Sequence, residues 1–150
     1  MNRFTTEPGA RARSRGVTLL ELMAVVLIVG ILGTIAVNSY RGYLLRTNRT
    51  EARMALLQVQ TAQEKFFLQN NRYADSTELT PAPTASTPGL GVPATTPSSY
   101  YTITLARPTT TTYTATATAI NGQTKDAAAC QVLTINETGT RTPTGNDCWR

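Results

Sequence analysis

The sequence predicts an α+β chain in which one long N-terminal helix, its apolar half projecting, packs on a three- or four-stranded antiparallel sheet, with a C-terminal disulfide-bounded loop. Three patterns predict it. An apolar run from Val17 to Val37 passes into a segment of helical periodicity that meets no proline until Pro81. Alternation with a period of two begins at Tyr100. Two cysteines, Cys130 and Cys148, stand near the end of the chain.

The chain has 150 residues, room for one ordinary domain with special ends. Residues 1–15 are polar and basic, broken by Pro8 and Gly9, and read as a leader rather than as a fold. The formal charge of +5 partitions accordingly. Residues 1–16 hold Arg3, Arg11, Arg13 and Arg15 against Glu7, and the remainder has only a slight basic excess, so the total charge does not describe the partners of the rest. From Gly16 the character changes to GVTLLELMAVVLIVGILGTIAV, with no charged residue between Glu21 and Arg41. An apolar run of about 18 residues or more spans a membrane by default, and it exceeds the roughly 7–15 residues of a secretory h-region. The N-terminus is placed on the cytoplasmic side because a disulfide needs the oxidising side.

Beyond the run, Ala52, Ala55, Leu56, Val59, Ala62 and Phe66 recur at spacings of three and four and form one face, with Arg53, Gln60 and Glu64 around the other side. The helix should end near Asn70-Asn71. At about 1.5 Å per residue it would measure roughly 80 Å, more than a domain of this size can bury. Pro81, Pro83, Pro88, Pro93 and Pro97 then mark an irregular connection over 71–98, of a length that is usually functional or partly disordered. Tyr101, Ile103 and Leu105 alternate with threonines, TTTTYTATATAI repeats the alternation after Pro108, and VLTIN precedes a turn at Glu137 to Thr140. The expected organisation is a leader over 1–16, a transmembrane and assembly half-helix over 17–40, and a periplasmic globular domain over 41–150. In that domain the helix runs to about residue 70, the loop occupies 71–98 and the sheet 99–150.

Catalytic and metal chemistry find little support. Histidine is absent, so there is no Ser-His pair, and no glycine-rich loop precedes a lysine in phosphate-binding form. Asp126, Glu137 and Asp147 are too sparse for a calcium loop, and two cysteines are too few for a zinc site. The expectation is no enzyme, no cofactor and no metal. A Cys130–Cys148 disulfide fits an exported chain, and the chain-entropy model values its loop at about 3 kcal/mol.

The junction RSRGVTLLEL closely resembles the processing site of type IV prepilins, with Gly16, Val17 and Glu21 in the places of the terminal leader glycine, the first mature residue and the acidic fifth residue. The resemblance implies cleavage between Gly16 and Val17 by a membrane-embedded prepilin peptidase, and N-methylation of Val17. Most relatives have Phe at that position, so Val17 departs from the pattern, as does Asn38 where many have Pro. The stretch AQEKFFLQNNRYADSTEL resembles the end of the long helix in PilE-like minor pilins. Their C-terminal pattern corresponds to Gly122-Gln123, Cys130, VLTIN, Gly139 and Cys148-Trp149. The implied fold is that of a type IV pilin, and the resemblance makes the disulfide-bounded loop exposed and variable. The implied partners are other pilin subunits and the inner-membrane pilus assembly machinery. The implied location is the inner membrane and then an extracellular fibre serving attachment, twitching motility or DNA uptake.

Glu21 has a physical reason of its own. An unpaired carboxylate in hydrocarbon costs several kcal/mol, so it requires a proton or a partner. The freed amine of Val17 is the available cation, and pairing between neighbouring subunits suits the geometry better than pairing within one helix; such a pair would set axial register. Gly30 and Gly33 could let helices approach closely, or be two small residues without a role. Two alternatives to a fibre-building minor pilin stand beside it. One is a pilin that binds DNA through Arg107, Lys125, Arg141 and Arg150; the other is a pseudopilin of type II secretion, against which the cysteines argue.

Overall fold

The computed structural model describes residues 17–84, 88–145 and 147–149, apart from the side chain of Asn38. The expected leader with Gly16, and the candidate Arg150, lie outside the described residues. The chain divides into two compact units, Met1–Ser39 and Tyr40–Arg150. Helix α1 (Leu19–Asn70) contributes to both, and each unit is taken by itself.

In the first unit every large apolar side chain from Val17 to Val37 is more than half exposed. A Cβ added at Gly30 or Gly33 would meet nothing within 4 Å, so neither glycine is required by a contact inside this chain.

The second unit holds the core. Along α1, Ala52, Leu56, Val59, Gln63 and Phe66 recur at three- and four-residue intervals and are buried, with Ala55 and Ala62 packed at the margin. Gln63 is the one member of this stripe that apolar periodicity could not supply. The helix stops where expected. Asn70 Nδ2 donates to the Phe66 carbonyl at 2.9 Å, and Asn71 takes a left-handed backbone (φ 52°) while its amide donates to Phe67 O.

The proline-rich connection is more firmly tied than its composition suggests. Asp75 caps the short 3-10 turn Ser76–Glu78 through a capping box. The amides of Leu90, Gly91 and Val92 then donate to the carbonyls of Glu78, Pro81 and Leu79, and Leu79, Leu90 and Val92 enter the core. Gly89 is needed there because a Cβ would sit 2.1 Å from the Pro81 carbonyl oxygen.

The strands are β1 (Tyr101–Thr109), β2 (Thr112–Ala119), β3 (Val132–Asn136) and β4 (Arg141–Thr142), forming one antiparallel sheet in the order β1-β2-β3-β4. Alternation points Tyr101, Ile103 and Leu105 inward on β1, and Leu133 and Ile135 on β3. Between them β2 presents Tyr113, Ala115, Ala117 and Ala119, which share one buried cluster with Leu56 and Val59 of α1. Pro108 does not end the first strand. It lies inside β1, on the edge of the sheet and within the register irregularity between Ala106 and Thr109, where a missing amide is tolerated. The β3–β4 turn falls where expected, with Gly139 at φ +76°.

Gln63 gives the sharpest test of this packing. Its side chain donates to Ala74 O (3.1 Å) and accepts from Ala74 N (2.8 Å), with both residues fully buried. Gln63→Ala should lower stability by about 2–4 kcal/mol, since each orphaned buried group costs roughly 1–3 kcal/mol. The exposed Gln58→Ala should stay within about 0.5 kcal/mol in the same thermal unfolding experiment. Equal midpoints for the two variants would refute the assignment.

Candidate functional site

In the first unit, α1 starts immediately after Thr18. The Thr18 carbonyl accepts from Leu22 N (3.1 Å), and its Oγ1 accepts from the Glu21 amide (3.2 Å). Thr18 and Glu21 thus stand in the T-x-x-E spacing of a helix N-cap, a signal the sequence reading passed over. Glu21 belongs in the first turn on this ground too, since an acidic side chain complements the positive end of the helix dipole. Val17 and Glu21 are both exposed.

The three candidate cations among the described residues, Arg107, Lys125 and Arg141, lie on different elements. Arg107 is on β1 and Arg141 on β4, at opposite edges of the sheet. The Arg107 guanidinium pairs with Asp75 at 3.1 Å. Arg141 lies over the ring of Trp149, 5.2 Å from its centroid, and the Trp149 indole N–H donates to Thr142 O at 2.9 Å. Lys125 is exposed at the end of the 3-10 segment Asn121–Lys125.

Cys130 and Cys148 are joined, and both are buried. The bond encloses β3 and β4. Immediately before it, a polar clasp fastens residues 121–130 to α1. Arg49 holds the Asp126 carboxylate through two hydrogen bonds, Nε to Oδ2 at 2.7 Å and Nη2 to Oδ1. Asn48 Nδ2 donates to Gln123 Oε1 (3.0 Å), and Gln123 Nε2 lies within hydrogen-bond reach of Asp126 Oδ2, Tyr101 OH and Leu45 O. The Tyr101 hydroxyl donates onward to the Cys130 carbonyl at 3.1 Å. Burial pushes the Asp126 carboxyl up, but Arg49, the Ala127 amide and Gln123 outweigh it and hold the group below the usual carboxylate range. The sequence carried one signal for the clasp. Arg49 continues the stripe of Ala52, Leu56 and Val59 by one step, and a charge on a buried stripe needs a partner.

With this arrangement in view, the likeness to known proteins is specific. Residues 38–134 match the family described as type IV minor pilin ComP, DNA uptake sequence receptor. The chain belongs to that pilin family. Residues 11–37 match the prokaryotic N-terminal methylation motif. The pilin is 44% identical over 63 residues to the type IV major pilin protein PilA of Myxococcus xanthus, covering 42% of this chain and 29% of that one. It is 40% identical over 62 residues to a fimbrial protein of Pseudomonas aeruginosa (41% and 40% covered), and 36% over 61 residues to the type II secretion system core protein G of Pectobacterium carotovorum (41% and 39%). The chain thus spans less than half the length of these relatives. A type IV pilin structure from Shewanella oneidensis shares the fold, with a TM-score of 0.51 at 21% identity, over 71% of this chain and 98% of that one. The family match and the shared fold thus agree on a type IV pilin.

The clasp makes stability depend on acid. A carboxyl whose folded pKa lies below its unfolded value of about 3.9 contributes stability above that pH and loses it as pH falls through the folded value. Asp126→Asn should cost about 3–5 kcal/mol at pH 7 by leaving Arg49 uncompensated, and the gap to the parent should shrink below about pH 4. Denaturation across pH 7 to 2 reads both. A gap that stays constant over this range would mean that Asp126 is not held as the ionised partner.

Proposed function

We propose that this pilin is a minor subunit of a type IV pilus, cut between Gly16 and Val17 by a prepilin peptidase and methylated on Val17. It assembles by burying its apolar half-helix against other subunits, with Glu21 paired to the new amine of a neighbour. The leader over 1–16, the span over 17–40 and the periplasmic domain over 41–150 are parts of the same proposal. One observation carries it. The run from Val17 to Val37 is exposed throughout and has an acidic residue, Glu21, in the first turn at its head. Such a surface needs lipid or other subunits around it. The inner-membrane assembly machinery would draw the subunit from the first setting into the second, in fibres that serve motility, adhesion or DNA uptake.

Mass spectrometry of the mature N-terminus should find methylated Val17. Glu21→Ala should leave the protein in the membrane yet largely absent from sheared filaments. Unchanged incorporation would remove the role given to Glu21.

A second reading, DNA binding by the assembled pilin, is favoured by the family description and by the exposed Arg141 over Trp149, a cation and an aromatic face that suit a phosphate and a base. Arg107 is a weaker candidate because Asp75 already engages it. The soluble unit should shift duplex DNA in a gel with an affinity that falls steeply with salt, and Arg141→Gln should weaken it. Absence of any salt-dependent shift would exclude this reading. The pseudopilin reading keeps the support of the type II secretion relatives, but the Cys130–Cys148 bond favours the pilus.

A further inference from the structure

Three cations of the second unit are held in ion pairs, Arg49 with Asp126, Arg72 with Glu78 and Arg107 with Asp75. Arg41 and Lys125 have no acidic partner among the described residues, and they line one groove of about 440 Å3 together with Leu44, Leu45, Asn48 and Tyr100. No carboxylate lines this groove, so two like charges are held about one concavity with nothing from the chain to neutralise them. Groups of that kind attract an anion.

The sequence says where such an anion would come from. Arg41 is the first charged residue after Glu21 and stands four residues beyond Val37 in the same helix, about 6 Å of rise past the apolar run. Tyr40 and Tyr43, both largely exposed, flank it. Tyrosines and long cations beside the end of an apolar span are the residues found at a membrane–water boundary. We propose that the Arg41–Lys125 groove binds the headgroup of an anionic phospholipid at the outer surface of the membrane that anchors the pilin. The inference rests on the membrane-anchored state and goes beyond the fibre-building role.

The lining matches that ligand part by part. The Arg41 guanidinium and the Lys125 ammonium donate to phosphate oxygens, as a planar fork and as a point charge. Leu44 and Leu45 offer apolar contact to the glycerol backbone and the first methylenes, and the half-buried Tyr100 ring closes a wall. A nucleic-acid backbone, with a charge every 1.7 Å or so, calls for an extended row of cations rather than two beside leucines. A bound headgroup would fix the rotation and depth of the helix in the membrane, presenting each waiting subunit in one orientation, and it would be released when the subunit enters a fibre.

The test uses the full chain in mild detergent, with lipid retention measured by native mass spectrometry. Phosphatidylglycerol should be retained as one molecule per chain, and phosphatidylcholine far less. The double variant Arg41→Gln, Lys125→Gln should lose phosphatidylglycerol retention about tenfold or more. Arg46→Gln, exposed but outside this groove, should retain it as the parent does. Equal retention by parent and double variant overturns the proposal, as does equal retention of the two lipids. An equal loss with Arg46→Gln also overturns it, since the attraction would then be diffuse. Duplex DNA that displaces phosphatidylglycerol at equal phosphate concentration, in a manner dependent on Arg41 and Lys125, would make the groove a nucleic-acid site instead. Val17 methylation and filament incorporation are read separately, so failure of the lipid site leaves the fibre proposal standing or falling on its own evidence.

Discussion

Among the described residues nothing covers the apolar half of α1: none of its most apolar window is buried. Contiguous apolar surface of this extent is not kept in water, where patches on monomers seldom exceed a few hundred Å2. As a helix the segment satisfies its own backbone polar groups, so lipid accepts it, and so does a bundle of identical helices. Exchanging one apolar surrounding for the other yields little hydrophobic gain, because lipid tails are as apolar as leucine. The discrimination has to come from groups that lipid and neighbouring subunits treat differently. Glu21 is such a group under the proposed pairing, since a neighbour's amine can neutralise it and lipid tails cannot.

The second unit faces a different shortage. Its core is built from one helix face and the inner face of a small sheet in which β2 contributes three alanines beside Tyr113, so apolar burial per residue is limited. Fixed connections make up for this. The disulfide closes a loop of 18 residues' separation, and the clasp ties the strand-preceding segment to α1 just upstream of Cys130. The two act in series: Arg49 holds Asp126, Asp126 lies four residues from Cys130, and Cys130 holds the C-terminal segment through Cys148. The Ala74 amide and carbonyl, satisfied by Gln63, do the same for the other end of the helix.

Periodic features were legible in the sequence, and singular ones were not. The long helix, its buried stripe, its end at Asn70 and the alternating strands all repeat a pattern that many residues vote for. Cys130 and Cys148 were legible because two cysteines allow only one intramolecular pairing. Gln63, Gln123 and Asp126 were missed because a buried polar residue looks like an exposed one until its partner is known, and their partners lie 11, 75 and 77 residues away. The closure of the proline-rich loop was missed for a related reason. Its backbone hydrogen bonds join Glu78, Leu79 and Pro81 to Leu90, Gly91 and Val92, and composition cannot indicate that two irregular stretches pair. The candidate cations were chosen by charge alone, and charge does not tell that Asp75 has claimed Arg107 or that the sheet order separates Arg107 from Arg141.

The Arg49–Asp126 pair raises the question of why a small core should spend burial on charge, since well-packed apolar residues are often at least as stabilising. The answer lies in the helix it grips. A stripe of Ala, Leu and Val with helical spacing presents nearly the same face after sliding by one turn, about 5.4 Å, so apolar packing specifies the face of α1 far better than its axial position. A bidentate guanidinium–carboxylate contact does not survive such a slide, and neither does the Asn48–Gln123 bond one residue away. Gln63 imposes the same requirement four turns further on. Two polar anchors at separate heights therefore fix the register of a helix that its apolar contacts leave nearly free to slip.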